Sequence, residues 1–168
     1  MNRLLLLIGI LFLFSCGNSH QGCQADLDVK ALLFSGLHEE ENLLLPCFEV
    51  GDERNTSADI TRRRYHDPKN DPIDSIPNDE GKNYIFDVSI LEQENNPHKA
   101  LGVATTDVDL YLEIKNLFMD AGEWEHDDPY TGWIGDAPYL LRWHQIKGEG
   151  RIPTLYTVSL APQSFHWK

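Results

Sequence analysis

Positive charge is scarce in this chain. Its 168 residues carry 14 Lys plus Arg against 27 Asp plus Glu, a formal net charge of −13. Such a field repels phosphate backbones and anionic headgroups, so it argues against nucleic-acid binding and against a domain lying flat on a membrane surface. Apolar runs are short: the longest, Leu4 to Phe14, falls well below the roughly 20 residues needed to span a bilayer. There are three cysteines, Cys16, Cys23 and Cys47, and none forms the Cys-x-x-Cys spacing of a redox pair. Serine is present, but in no Gly-x-Ser-x-Gly elbow, and the seven histidines include no His-x-x-x-His pair. Nothing in the chain matches a decisive catalytic motif, so the expectation is a protein that is not an enzyme and uses no cofactor.

What is present begins at Arg3. A basic residue, the apolar run Leu4–Phe14 and small Ser15 have the parts of a secretory signal peptide. Leu13-Phe14-Ser15-Cys16 resembles the lipobox of bacterial lipoproteins, with Phe14 bulkier than the residue that family usually places there. The resemblance implies that residues 1–15 are removed and that Cys16 is acylated, palmitate included, anchoring the chain in a membrane and facing the periplasm. Gly17 instead of Asp after the anchor, by resemblance to enterobacterial lipoproteins, favours the outer membrane over the inner. Loss of residues 1–15 removes Arg3 and no acid, which leaves 153 residues with a net charge of −14.

Lipid on Cys16 would leave Cys23 and Cys47 as a pair in an oxidising compartment, and a disulfide between them is expected. Closing that loop would stabilise the fold by about 3 kcal/mol. Residues 16–22 then form an anchor and a tether of at most about 25 Å, which holds the domain close to its membrane. Residues 23–168 suffice for one globular domain.

Along that domain, DLDVKALLF (26–34) alternates with period two and predicts a strand, as does LLLPCFEV (43–50), with Pro46 marking an edge or bulge. Residues 51–83, rich in Asp, Asn, Pro, Gly, Arg and Lys, read as a long polar loop. YIFDVSIL (84–91) is the clearest strand. Asp109, Glu113, Asn116 and Asp120 fall on one stripe at spacings of four, three and four, which predicts a helix over 107–121, capped by Thr106 and ended by a left-handed Gly122. PYLLRWHQIK (138–147) and IPTLYTVSL (152–160) flank Gly148-Glu149-Gly150 as a hairpin. The elements add up to an α+β domain, a small antiparallel sheet packed on one helix.

The richest candidate surface is EWEHDDPYTGWIGDAP (123–138). Trp124, Tyr130 and Trp133 offer large contact area, and Glu125, Asp127 and Asp128 would select a cationic partner, so these six are the expected partner-binding residues. A structural role, with rings filling a gap under a loop, competes with that reading. His126 with Asp127 and Asp128 lacks the spacing of a metal site. Asp67, Asp71, Asp74, Asp79 and Glu80 crowd one segment, but Lys69 and Pro72 break the EF-hand pattern, so no metal is expected. Arg62-Arg63-Arg64 could clamp a carboxylate or phosphate, or simply answer neighbouring acids in a solvated loop. Glu123 and Asp127 would be the acid and base of a glycan or peptidoglycan hydrolase, the least favoured class.

The lipobox, the strand Cys47-Phe48-Glu49-Val50 and the tyrosine-led strands Tyr84–Val88 and Tyr156–Leu160 resemble periplasmic immunity lipoproteins that protect bacteria from toxins delivered by type VI secretion. The resemblance implies neutralisation of a toxin through binding of a protein with a basic surface. An envelope assembly or scaffold lipoprotein is the alternative.

Overall fold

The computed structural model describes residues 27–36, 38–57, 59–67, 86–125, 129–149 and 153–165. Cys16, Cys23, the expected anchor and tether, and the whole acidic stretch from Asp71 to Glu80 lie outside them, as do His126, Asp127 and Asp128.

The first described element is a helix where a strand was expected. Asp28 accepts a hydrogen bond from the Ala31 N–H at 2.9 Å and so caps α1 (Val29–Phe34). Val29, Leu32 and Leu33 are its buried residues. Spacings of three and four suit a helix, and two adjacent buried leucines do not suit a strand with one covered face. A short α2 (His38–Leu44) follows, with Glu39, Glu40 and Glu41 in its first turn, where the helix dipole favours negative charge. Pro46 then stops the helix: Leu45 N–H donates to Glu41 O, and Phe48 N–H donates back to Leu45 O across a turn. The strand expected over 43–50 is thus mostly helix end and turn.

The loop expected from residue 51 is, as far as residue 66, a hairpin of β1 (Glu49–Ser57) and β2 (Ile60–His66). Residues 68–83 of that expectation lie outside the described residues. β1 is an exposed edge whose register shifts twice, between Val50 and Glu53 and between Asn55 and Ser57; such irregularity blunts edge-to-edge pairing. The remaining elements are β3 (Phe86–Gln93), β4 (Ala100–Thr105), α3 (Val108–Asp120), β5 (Glu123–Trp124), β6 (Tyr130–Ile134), β7 (Ala137–Ile146) and β8 (Leu155–Pro162). They form one antiparallel sheet in the order β1-β2-β3-β4-β8-β7-β6-β5. The β3 strand, the α3 helix and the β7–β8 hairpin lie where the sequence predicts them. The domain is α+β and mostly sheet, with eight strands and three helices described.

Alternation assigns the two faces. Val88 and Ile90 of β3, Leu101 and Val103 of β4, Val158 and Leu160 of β8 and Leu141 of β7 are paired across the strands on one face. They share a core with Leu32 and Leu33 of α1 and with Ile114 and Phe118 of α3. Each such fully buried side chain contributes roughly 1.5–3 kcal/mol. The polar stripe of α3 stays outside: Asp109, Glu113, Asn116 and Asp120 are all exposed. Its cap is Asp107 rather than Thr106, with the carboxylate accepting from the N–H groups of Asp109 and Leu110 at 2.9 and 3.2 Å.

Gly122 serves close approach instead of a left-handed turn. A Cβ there would lie 2.8 Å from the Trp124 ring. At Gly132 a Cβ would run into the Glu123 carbonyl and approach Trp124 Cε3 to 2.8 Å. The two glycines therefore open the slot in which the Trp124 indole lies, its N–H donating to Met119 O at 2.8 Å at the end of α3.

Candidate functional site

The middle arginine of the Arg62-Arg63-Arg64 run points into the protein. β2 alternates, so Thr61, Arg63 and Tyr65 share the face on which their partners Glu92, Ile90 and Val88 lie, while Arg62 and Arg64 face the other side. On that outer face Arg64 pairs with Asp87 at 2.5 Å. The expectation of a solvated basic loop is corrected: a strand carries the run, and its central charge is buried.

Arg63 meets Glu41, which α2 carries over the end of the sheet and which is fully buried. Arg63 Nε donates to Glu41 Oε2 at 2.9 Å and Nη2 to Oε1 at 2.8 Å, a bidentate pair. Tyr65 OH donates to Glu41 Oε2 at 2.7 Å, and Lys99 Nζ, just before β4, to Oε1 at 2.6 Å. Glu92, near the end of β3, takes both cations on Oε1, Arg63 at 2.8 Å and Lys99 at 2.9 Å. Lys99 gives its third proton to Ser35 Oγ at 3.0 Å, and Ser35 in turn donates to Leu32 O. Two cations thus balance two carboxylates, and all three ammonium protons have acceptors.

The electrostatics follow from that saturation. Burial pushes the Glu41 carboxyl up, but the hydrogen bonds of Arg63, Lys99 and Tyr65 and the Arg63 charge outweigh it and hold it down at about 2. Glu92 is lowered by the same contest between burial and the hydrogen bonds of Arg63 and Lys99. The Arg63 guanidinium is raised, chiefly by its hydrogen bond to Glu41. Tyr65 is raised by burial and by its bond to the Glu41 carboxylate. Glu41 therefore stays ionised at neutral pH and is not poised to exchange a proton there. The cluster ties α1, α2, β2, β3 and the start of β4 together.

A cleft of about 570 Å³ opens beside it, at the end of the sheet where the β1–β2 and β3–β4 turns approach the α1–α2 corner. Phe34, Asp59, Glu92, Gln93, Glu94 and Lys99 line it. Asp59 accepts from Ser57 Oγ and Gln93 Nε2 at 2.9 and 3.0 Å, which holds one wall in place.

Of the six partner-binding residues expected from sequence, Trp124, Glu125, Tyr130 and Trp133 are among the described residues, and the three aromatic ones divide between two faces of the sheet. Trp124 and Tyr130 turn to the helix side: Trp124 fills the slot beneath α3, and Tyr130 packs on Trp143 with ring centroids 4.8 Å apart. Lys115 of α3 lies 3.7 Å above the same Trp143 ring, which closes that stack. Trp133, paired with Glu123, points to the opposite face and is 49% exposed. Glu125 is exposed, and Asp127 and Asp128 lie outside the described residues. Glu123, one half of the suggested hydrolase pair, is exposed on the edge strand, and Asp127 again lies outside. Among the described residues there is no group of three or more His, Cys, Asp or Glu able to hold a metal, and no helix long and apolar enough to cross a membrane.

Glu41, Glu92 and Lys99 escaped sequence reasoning. Apart from the Glu92–Lys99 contact across the β3–β4 turn, their partners lie 22 to 64 residues away along the chain, so no local motif marks the cluster. Compared with protein-family models, curated proteins and solved structures, the chain matches none of them.

Proposed function

We propose that this is a lipid-anchored, periplasm-facing protein, in the outer membrane, that works by binding a partner protein with a basic surface, in the manner of an immunity protein that neutralises a toxin. The observation that carries the reading is the acidic, partly aromatic cleft set on a rigid sheet in a chain of net charge −13. Opposite charge steers encounter and selects the partner, and a recess braced by a saturated charge cluster keeps its shape on binding. Acylation of Cys16 and a Cys23–Cys47 disulfide belong to the same proposal.

The test is capture by the tagged, acylated protein from envelope extracts of its own and of competing strains. A stoichiometric basic partner whose activity is blocked on binding supports the reading. No stoichiometric partner from either source overturns it.

A further inference from the structure

We infer that the cleft at the α1–α2 corner is a receptor for an organic cation, the lysine or arginine side chain of the bound partner; this rests on the binding function proposed above. Among the described residues, four carboxylates, Glu41, Asp59, Glu92 and Glu94, stand around or behind it against two cations, Arg63 and Lys99, a local excess of negative charge. The two cations are already committed. Lys99 spends its protons on Ser35, Glu41 and Glu92, and Arg63 is held by Glu41 and Glu92.

Acceptor capacity remains on the cleft side. Glu92 lines the cleft, receives both cations on Oε1, and as a carboxylate with about four lone-pair sites can accept further donors. Glu94 is exposed and accepts no hydrogen bond among the described residues. At the rim, Phe34 ends α1 with 48% of its surface exposed. Behind that ring lies the β6–β7 turn, where Gly135 adopts φ +64° and a Cβ would sit 3.4 Å from Phe34 Cζ. The turn thus backs the aromatic ring, and the ring lines the cleft. Carboxylates combined with an accessible aromatic face are the ordinary means of recognising an ammonium or guanidinium group. A metal ion is a poor fit, because no metal-holding group of side chains occurs among the described residues and the recess, at about 570 Å³, is sized for an organic group.

The experiment titrates the isotopically labelled full chain with N-acetyl-arginine amide, N-acetyl-lysine amide, putrescine and, as a neutral control, N-acetyl-norleucine amide, following backbone amide shifts. Saturable shifts at Gly36, Glu94 and Asn96 with the cationic probes and none with norleucine are expected. Phe34→Ala and Glu94→Gln should each weaken binding by roughly threefold. Both positions are exposed, and the unperturbed remainder of the spectrum shows that each variant is folded. Absence of saturable shifts at the cleft, or titrations unchanged in the double variant, would overturn the assignment. Putrescine binding far more tightly than either amino-acid probe would replace a partner side chain with a free polyamine. A captured partner indifferent to the double variant removes the cleft and leaves the binding function standing; probe binding without any partner does the reverse.

Discussion

Arg63 and Glu41 form a bidentate pair in the interior, with Nε to Oε2 at 2.9 Å and Nη2 to Oε1 at 2.8 Å. Buried ion pairs are not automatically stabilising, since desolvation of both charges offsets their attraction. Removing one partner is a different matter, because the other is then left charged in a dry place. Glu41→Ala or Arg63→Ala is expected to destabilise the fold by about 3–5 kcal/mol, read from urea unfolding. In the double variant the cost should be well below the sum of the two, because the pair is lost together.

The same pair sets an acid limit. The Glu41 carboxyl is held at about 2 in the folded protein, against 4.5 for an unconstrained glutamate. A depressed value means that the contribution is complete above the unfolded pKa and is lost as pH falls through the folded one. Linkage converts that difference to about 3 kcal/mol, lost between roughly pH 4.5 and 2. Unfolding free energy measured over this range should fall steeply in the native sequence and more gently in Glu41→Gln, which starts lower at neutral pH.

Trp124 and Trp133 should separate cleanly. Trp124→Ala empties the slot beneath α3 and orphans the Met119 carbonyl, at a cost of about 2 kcal/mol. Gly132→Ala forces a Cβ against the Glu123 carbonyl and should cost about 3 kcal/mol. Trp133→Ala, on the exposed outer face, should change stability by no more than about 0.5 kcal/mol. Thermal unfolding of the three variants checks the order.

The Cys23–Cys47 bridge, part of the proposal, predicts a crosslink between the peptides bearing those residues in non-reducing peptide mapping that disappears on treatment with a thiol reductant, while Cys16 carries the lipid mass. Reduction, or Cys47→Ser, should lower stability by about 3 kcal/mol. A free thiol at Cys47 in the protein isolated from the envelope would contradict it.

Legibility followed periodicity. The α3 helix and the strands β3, β7 and β8 were readable because their exposed or buried faces repeat over enough residues to distinguish 3.6 from 2. Helix α1 was not, since in nine residues Leu27, Val29 and Leu33 satisfy alternation while Val29, Leu32 and Leu33 satisfy a helix; the Asp28 cap and the packing of Leu32 decide it. Strand β2 was hidden by its own core face. Its inward residues are Thr61, Arg63 and Tyr65, a polar row that looks like a loop until Glu41, far away in sequence, supplies the countercharge. The same distance conceals the candidate site: the Arg62–Arg64 run is visible, but not which arginine is buried or what neutralises it. Trp124 and Tyr130, expected to bind a partner, make packing contacts with the end of α3 and with Trp143, the competing role that sequence alone could not separate from binding.

Association with a basic partner is the central claim, and the ionic-strength dependence of the dissociation constant for the captured partner tests it most directly. With the acidic cleft carrying recognition, affinity should fall steeply from low to high salt, and Phe34→Ala with Glu94→Gln should weaken binding and flatten that dependence. An affinity that is insensitive to salt and unchanged in the double variant would contradict the account.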